Sequence, residues 1–361
     1  VEGAKRRKGR VLPVTSERAV SLQKVALDIA DVLREEGFSV MDPMLYPDAV
    51  KFTELARARQ FQATYIVMAF DTVWATPFFY LGYRAKADGL RYVWYATVEG
   101  RVRRTGHEDW VFRELEYVAV SRYVARKLGE AGARVKAIVH HGVDTQEAFV
   151  LAHFGPAVRR GLGLSEKDFA VGYLAGAYAR KGHDLFAAVI KEVAQRDPTI
   201  KFFVVTAPQA LENYAGAPNT QVLTNFGQKP REWVWGFYHA IDLYAHPALA
   251  EGFGLPVLEA LACGKPVVHA DYDPLSEITT PETSFRVPVI DIRYADDPYH
   301  LKTGIDYEHH IYDPVEFAEA ILQAKEEVLR RREELAQTCF ERAKEFDKRK
   351  TYKEIAAMLG G

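Results

Sequence analysis

Short apolar runs alternate with amphipathic stretches along most of this chain, and that alternation is what most limits its fold. Ala63-Thr-Tyr-Ile-Val-Met-Ala-Phe70 carries no charge, as expected of a parallel strand buried on both faces. Leu90-Arg-Tyr-Val-Trp-Tyr-Ala96, Tyr117-Val-Ala-Val120 and Val135-Lys-Ala-Ile-Val139 repeat the pattern, after a short first strand over Gly9 to Thr15. Ser16 is placed to cap a helix over Glu17 to Glu36, whose apolar positions include Val20, Val25, Ile29, Val32 and Leu33. Gly37 stops that helix before Phe38-Ser-Val40, and Ser121 caps another that ends near Gly129. A second series begins with the strand Ala170-Val-Gly-Tyr-Leu-Ala175 and a helix opened by Asp184. Lys201 to Thr206, Ala240 to Ala245 and Pro266 to His269 supply further strands, and the chain from Pro314 onward is helical.

Two such series predict an α/β fold of two Rossmann-like doubly wound domains facing a cleft, with ligands at the carboxyl ends of the strands. The pattern loosens over residues 145–168, around Gly155-Pro156 and Gly161-Leu-Gly163, so the linker is expected there. The domains are accordingly drawn at 1–155 and 156–345. A length of 361 residues suits two cores better than one.

Composition narrows the function classes. A formal net charge of −2 gives no global basic field, so nucleic acid is not an expected partner. Cys263 and Cys339 are the two cysteines and form no Cys-x-x-Cys pair, which argues against a zinc site or a disulfide framework. Lone thiols suit a reducing, cytoplasmic compartment. No apolar run approaches the roughly 18–20 residues of a membrane span, and Val11-Leu-Pro-Val14 is too short for a signal-peptide core. Ala4-Lys-Arg-Arg-Lys-Gly-Arg10 packs five cations into seven residues. It reads first as a solvated tail and second as a peripheral contact for anionic lipid headgroups.

The most informative stretch runs from Pro247 to Val268 and contains Glu251-Gly-Phe-Gly-Leu-Pro-Val-Leu-Glu259. Gly252 and Gly254 bracket Phe253 and permit tight turns and close backbone approach. Pro256 suits the first position of a helix that Gly264 ends. The loop Gly252-Phe253-Gly254-Leu255 would then turn a positive helix end toward a ligand, a seat for a diphosphate. Glu259 offers two side-by-side acceptors, which suit the vicinal hydroxyls of a ribose. Taken alone, a strand, turn and helix with solvated glutamates would account for the spacing of Glu251 and Glu259.

The complete string resembles the donor-site signature of glycosyltransferase family 4, retaining enzymes of the two-domain GT-B fold. The resemblance implies that Glu251 sits by the transferred sugar, that Glu259 holds the ribose, and that residues 252–255 face the diphosphate. Upstream, Gly176-Ala-Tyr-Ala-Arg-Lys-Gly182 follows a strand and resembles the family's Gly-Arg-Leu, spacer, Lys-Gly segment. Lys181 matches the lysine as a point cation for phosphate, while Ala177 stands where the family has arginine and Arg180 offers a planar fork nearby. Ser121 through His140-His-Gly-Val-Asp144 resembles the end of the family's first domain. There, and in Tyr95-Ala-Thr-Val-Glu-Gly100, Glu99 or His141 is the candidate to touch the donor sugar or the acceptor. Phe346-Asp-Lys-Arg-Lys-Thr-Tyr352 resembles the segment where the last helix, residues 346–361, crosses back to the first domain.

The expected activity is transfer of a glycosyl group, as a retaining hexosyltransferase, from a UDP- or GDP-linked sugar to an acceptor hydroxyl. No Asp-x-Asp motif falls in a plausible donor loop, since Asp271 and Asp273 follow a strand, and no metal or other cofactor is expected. Two alternatives stay open: a sugar-nucleotide epimerase on the same fold, and a nucleotide-sugar-binding protein that turns nothing over.

Overall fold

The computed structural model describes residues 8–17, 19–70, 75–103, 109–295 and 304–360. Lys5, Arg6 and Arg7 of the basic run lie outside them. Lys8 pairs with Glu36 at 3.6 Å, and Arg10 begins the first strand.

The chain divides into two compact units, one holding residues up to Gly142 and the other beginning at Val143. The first contains β1 (Arg10–Val14), α1 (Val20–Glu35), β2 (Ser39–Val40), α2 (Ala49–Arg57), β3 (Ala63–Ala69), α3 (Thr76–Ala87) and β4 (Arg91–Thr97). It continues with β5 (Gly100–Val102), α4 (Asp109–Glu114), β6 (Glu116–Ala119), α5 (Arg122–Glu130) and β7 (Arg134–Ile138). Its sheet has the order β2-β1-β3-β4-β6-β7 and is parallel throughout. The uncharged run expected as a doubly covered strand is β3, in which Ala63 through Met68 are buried. Tyr65 and Tyr95 can sit in this core because their hydroxyls donate to Ala26 O at 2.7 Å and Val139 O at 2.8 Å. Ser121 accepts from Val124 N at 3.0 Å as the N-cap of α5.

In the second unit, residues 145–161, expected as linker, are helical: α6 (Thr145–Val150), a 3-10 turn (Leu151–Phe154) and α7 (Gly155–Gly161). Next come β8 (Phe169–Leu174), α8 (His183–Arg196), β9 (Ile200–Val205), β10 (Thr220–Leu223), α9 (Arg231–Ala240), β11 (Leu243–His246) and α10 (Leu255–Ala262). A Cβ on Gly236 of α9 would stand 2.7 Å from Val158 Cγ2, so glycine lets α7 and α9 pack closely. β12 (Val267–Ala270), α11 (Leu275–Ile278) and β13 (Ser284–Val287) complete the sheet. Its parallel order is β10-β9-β8-β11-β12-β13. An antiparallel pair, β14 (Val289–Ala295) and β15 (Ile305–Tyr312), and the long helix α12 (Pro314–Lys344) follow.

The last helices, α13 (Lys348–Thr351) and α14 (Lys353–Gly360), group with the first unit. Lys348 Nζ lies 3.1 Å from both Asp28 and Asp31 of α1. Gly142 N–H donates to the Tyr352 hydroxyl at 2.9 Å. Among the described residues no helix is long and apolar enough to cross a membrane.

Candidate functional site

Strand order decides where a site can form in the second unit. From β8 the chain moves outward through β9 to β10, then returns to lay β11, β12 and β13 on the other flank. β8 and β11 are therefore neighbours at a topological switch point, and the loops leaving their carboxyl ends run side by side. Those loops are 175–182 and 247–254, the two segments singled out in the sequence.

Main-chain bonds tie the loops together. Leu249 N donates to Arg180 O at 2.8 Å. Gly182 closes a short 3-10 turn at φ +66°, where a Cβ would lie 2.3 Å from Pro247 O, so glycine is required. His183, first residue of α8, donates from Nε2 to Gly176 O at 2.9 Å and accepts from the Tyr214 hydroxyl at Nδ1, 2.7 Å away. The Tyr173 hydroxyl donates to Lys181 O at 2.7 Å. On the other side the Tyr272 and Tyr312 hydroxyls donate to Ala248 O and Pro247 O.

This frame brings Lys181 onto Glu251, with Nζ donating to Oε1. Both side chains are largely out of solvent. His246, the last residue of β11, lies 3.1 Å from the same Oε1. An ionised carboxylate only accepts, so His246 Nε2 carries the hydrogen and the ring is the neutral Nε2–H tautomer. Burial pushes the His246 pKa down, against the pull of Glu251. Burial by itself would raise the Glu251 pKa. Lys181, the His246 bond and Arg180 outweigh it and hold the carboxyl well below its ordinary range. Glu251 is thus a buried anion with its charge balanced by a lysine. The Arg180 guanidinium lies over the rings of Tyr178 and Tyr307, 5.3 and 5.7 Å from their centroids.

Gly254 is the N-cap of α10, at φ +105°, and a Cβ there would meet Leu275 Cδ2 at 2.6 Å. Leu255 is the first helical residue and Pro256 the second, one place later than the spacing suggested. As a glycine, Gly254 supplies no side-chain cap to this helix start. Phe253 is buried in the turn ahead of it.

Glu259, one turn into α10, has its own partners. Its Oε1 accepts from Arg231 Nη1 at 2.9 Å and its Oε2 from the Tyr238 hydroxyl at 3.0 Å. Arg231 also reaches Glu147 at 3.3 Å and stacks 4.3 Å above Trp235. Glu251 and Glu259 therefore sit in separate charge clusters rather than one.

The other two sequence candidates belong to the first unit, at the carboxyl ends of β4 and β7 with β6 between those strands. Glu99 is half-buried in the bend after β4. His141 is buried edge-on to the Tyr95 ring at 5.2 Å. Burial, helped by His140, lowers its pKa to about 3.

Sequence reasoning missed Arg231, Tyr238 and His246. A signal existed for His246, a polar residue ending the otherwise apolar strand Leu243-Tyr-Ala-His246, which has to find a partner when buried. Elsewhere on the second unit, an open groove of about 460 Å³ is lined by residues including Phe154, Val158, Leu223 and Trp233. None of the predicted site residues borders it.

Residues 156–287 match the family model of glycosyl transferases group 1. An uncharacterized glycosyltransferase of Sulfolobus islandicus rod-shaped virus 1 is 28% identical over 343 residues, covering 92% of this chain and 95% of that protein. A D-inositol 3-phosphate glycosyltransferase of Segniliparus rotundus is 32% identical over 148 residues, 37% of this chain and 31% of that protein. Among solved structures, Anabaena HepE in complex with UDP-glucose superposes with a TM-score of 0.69 at 16% identity, covering 97% of this chain and 99% of HepE. The fold is the GT-B type, two parallel-sheet α/β domains.

Proposed function

We propose that this chain, whose residues 156–287 match the family model of glycosyl transferases group 1, is a retaining hexosyltransferase of family 4 type. It uses a UDP- or GDP-linked sugar as donor and an acceptor hydroxyl. The observation that carries this reading is the meeting of Lys181 and Glu251 at the switch point between β8 and β11, just ahead of a helix start whose N-cap is a glycine. Anions favour such helix starts, and a lysine beside one adds a point charge for a diphosphate. HepE, bound to UDP-glucose, supports the donor class.

In this reading the bond between the anomeric carbon and the diphosphate oxygen breaks, and the acceptor oxygen bonds to the same face of that carbon. The acceptor proton passes to the departing phosphate. Lys181, Arg180 and the 252–255 loop stabilise the charge that grows on the leaving diphosphate. Glu251, kept ionised by Lys181 and oriented by His246, accepts hydrogen bonds from sugar hydroxyls. Glu259, held by Arg231 and Tyr238, has acceptor capacity left for ribose hydroxyls. Glu99 and His141 are assigned to the acceptor side, and burial keeps His141 neutral there at physiological pH.

The test is transfer and hydrolysis on a panel of UDP- and GDP-linked sugars, followed by two variants. Glu259 acts on a part of the donor that does not react, so Glu259→Ala should mainly raise the donor KM. One lost charged hydrogen bond costs about 1.5–3 kcal/mol, or roughly 10- to 150-fold. Glu251→Gln should lower kcat more than it raises KM. Saturable donor binding without turnover on every donor would reduce the chain to a binding protein. Thermal melts establish that both variants are folded.

A further inference from the structure

β14 lies at the edge of its sheet. It pairs antiparallel with β15 from Val289↔Tyr312 to Ala295↔Tyr307, and no described strand lies on its other side. A strand so placed presents a row of main-chain N–H and C=O groups sideways. Natural edges are blunted by brevity, prolines, charged side chains or bulges. β14 has seven residues, Val-Ile-Asp-Ile-Arg-Tyr-Ala, without proline or lysine and with one charge of each sign. Its irregularity, a register shift between Val289 and Asp291, is confined to its start. Ile292 and Tyr294 are 51% and 47% exposed and share one face of the strand; Ile290, 64% exposed, is the residue in the bulge. Asp291 and Arg293 share the opposite face, where Arg293 Nε donates to Asp291 Oδ2 at 2.7 Å.

This strand is its own antiparallel complement. Turned end for end about Ile292, its regular part sets Ile292 against Ile292 and Asp291 against Arg293. We infer that β14 is a self-association edge, at which two copies of this chain pair β14 with β14 about a two-fold axis through Ile292. The two β14–β15 ribbons then join edge to edge through their β14 strands. Two-fold symmetry makes the Asp–Arg pair occur twice, so one strand supplies two Asp–Arg pairs around a central Ile–Ile contact. An unrelated peptide could use the same edge without needing this symmetry, and a lipid surface would gain nothing from alternating charges. The self-complementary order of charge and bulk selects a second copy. The pairing also bears on the donor loop, because β15 donates His310 N–H to Leu249 O at 2.8 Å and stacks the His310 ring on Tyr272 at 4.1 Å.

The experiment is sedimentation velocity over a concentration series on the full chain and on Asp291→Arg, Arg293→Asp and the double exchange of both. The wild type should dimerise reversibly. Each single exchange sets like charges opposite one another at both symmetry-related pairs and should weaken the dimer roughly tenfold or more. The double exchange restores opposite charges and should return the affinity close to wild type. All three changes lie on an exposed strand face, and matching melting curves show that folding is intact. A wild type that stays monomeric at its highest soluble concentration overturns the inference. So does a dimer indifferent to the single exchanges, or one that the double exchange fails to restore.

Discussion

Replacing Lys181 by methionine should destabilise the second unit more than any surface substitution, and the cost follows from the geometry. Lys181 and Glu251 are buried against each other, with side chains 13% and 8% exposed. The variant keeps the lysine's apolar bulk and strands a carboxylate that Lys181 had kept ionised. Removing one partner of a buried pair typically costs about 3–5 kcal/mol. The lower end applies here, because His246 still contacts Glu251 at 3.1 Å and can take up a proton to balance it. For a unit of about 200 residues, about 3 kcal/mol corresponds to roughly 6–12 °C in Tm. Combining Lys181→Met with Glu251→Gln removes the stranded charge and keeps an acceptor for His246, so most of that loss should be recovered. A second readout is acid sensitivity. Glu251's depressed pKa gives stability that is complete above the ordinary 4.5 and is lost as pH falls through the folded value. Without Lys181 the depression shrinks and the acid limb flattens. Scanning calorimetry from pH 7 to pH 3 measures both. A Lys181→Met protein melting within about 1 °C of wild type, against the several degrees expected, would refute the charge-balance argument. A double variant no more stable than the single one would do the same.

Buried His141 and His269, with pKa values lowered by burial to about 3 and about 4, give a further pH dependence. Both stay neutral in the fold while the unfolded chain protonates near 6.5, so stability is constant above that value and erodes as pH falls toward 4. The His269 share is on the order of 3 kcal/mol at about 1.4 kcal/mol per unit; His269→Asn should flatten the fall of the urea midpoint between pH 7 and pH 4, and an unchanged slope would count against it. Because Lys181 and Arg180 bring positive charge to the proposed diphosphate seat, transfer should survive EDTA. A large loss restored by manganese or magnesium would contradict that assignment. If the basic run reads anionic membrane, deleting residues 1–7 should weaken binding to acidic liposomes and leave donor affinity intact. Lys8 and Arg10 are best retained, since Lys8 pairs with Glu36 and Arg10 belongs to β1.

The central strands were legible because burial on both faces demands continuous apolar sequence: β3, β4, β8 and β9 all announce themselves. β10, four residues long with only intermediate and exposed positions, carries no such run and went unread. β14 and β15 escaped for a related reason, since a search for uninterrupted apolar runs passes over Ile-Asp-Ile-Arg-Tyr. The middle of α9, Trp-Val-Trp-Gly-Phe-Tyr-His, is built of residues with weak helix propensity, and packing against α7 overrides that preference. In the site, the string around Glu251 is a local pattern and could be read as it stands. Lys181 and Glu251 are 70 residues apart, however, and Arg231 and Glu259 are 28 apart. No spacing rule links residues that far apart. What makes Lys181 a neighbour of Glu251 is that the chain, having laid β9 and β10 on one flank of β8, returns to place β11 on the other. The same reversal leaves the two loops without a crossing helix between them, so a lysine from one can balance a buried carboxylate of the other. The charge state of Glu251, on which its proposed role depends, is therefore a consequence of strand order rather than of the motif that contains it.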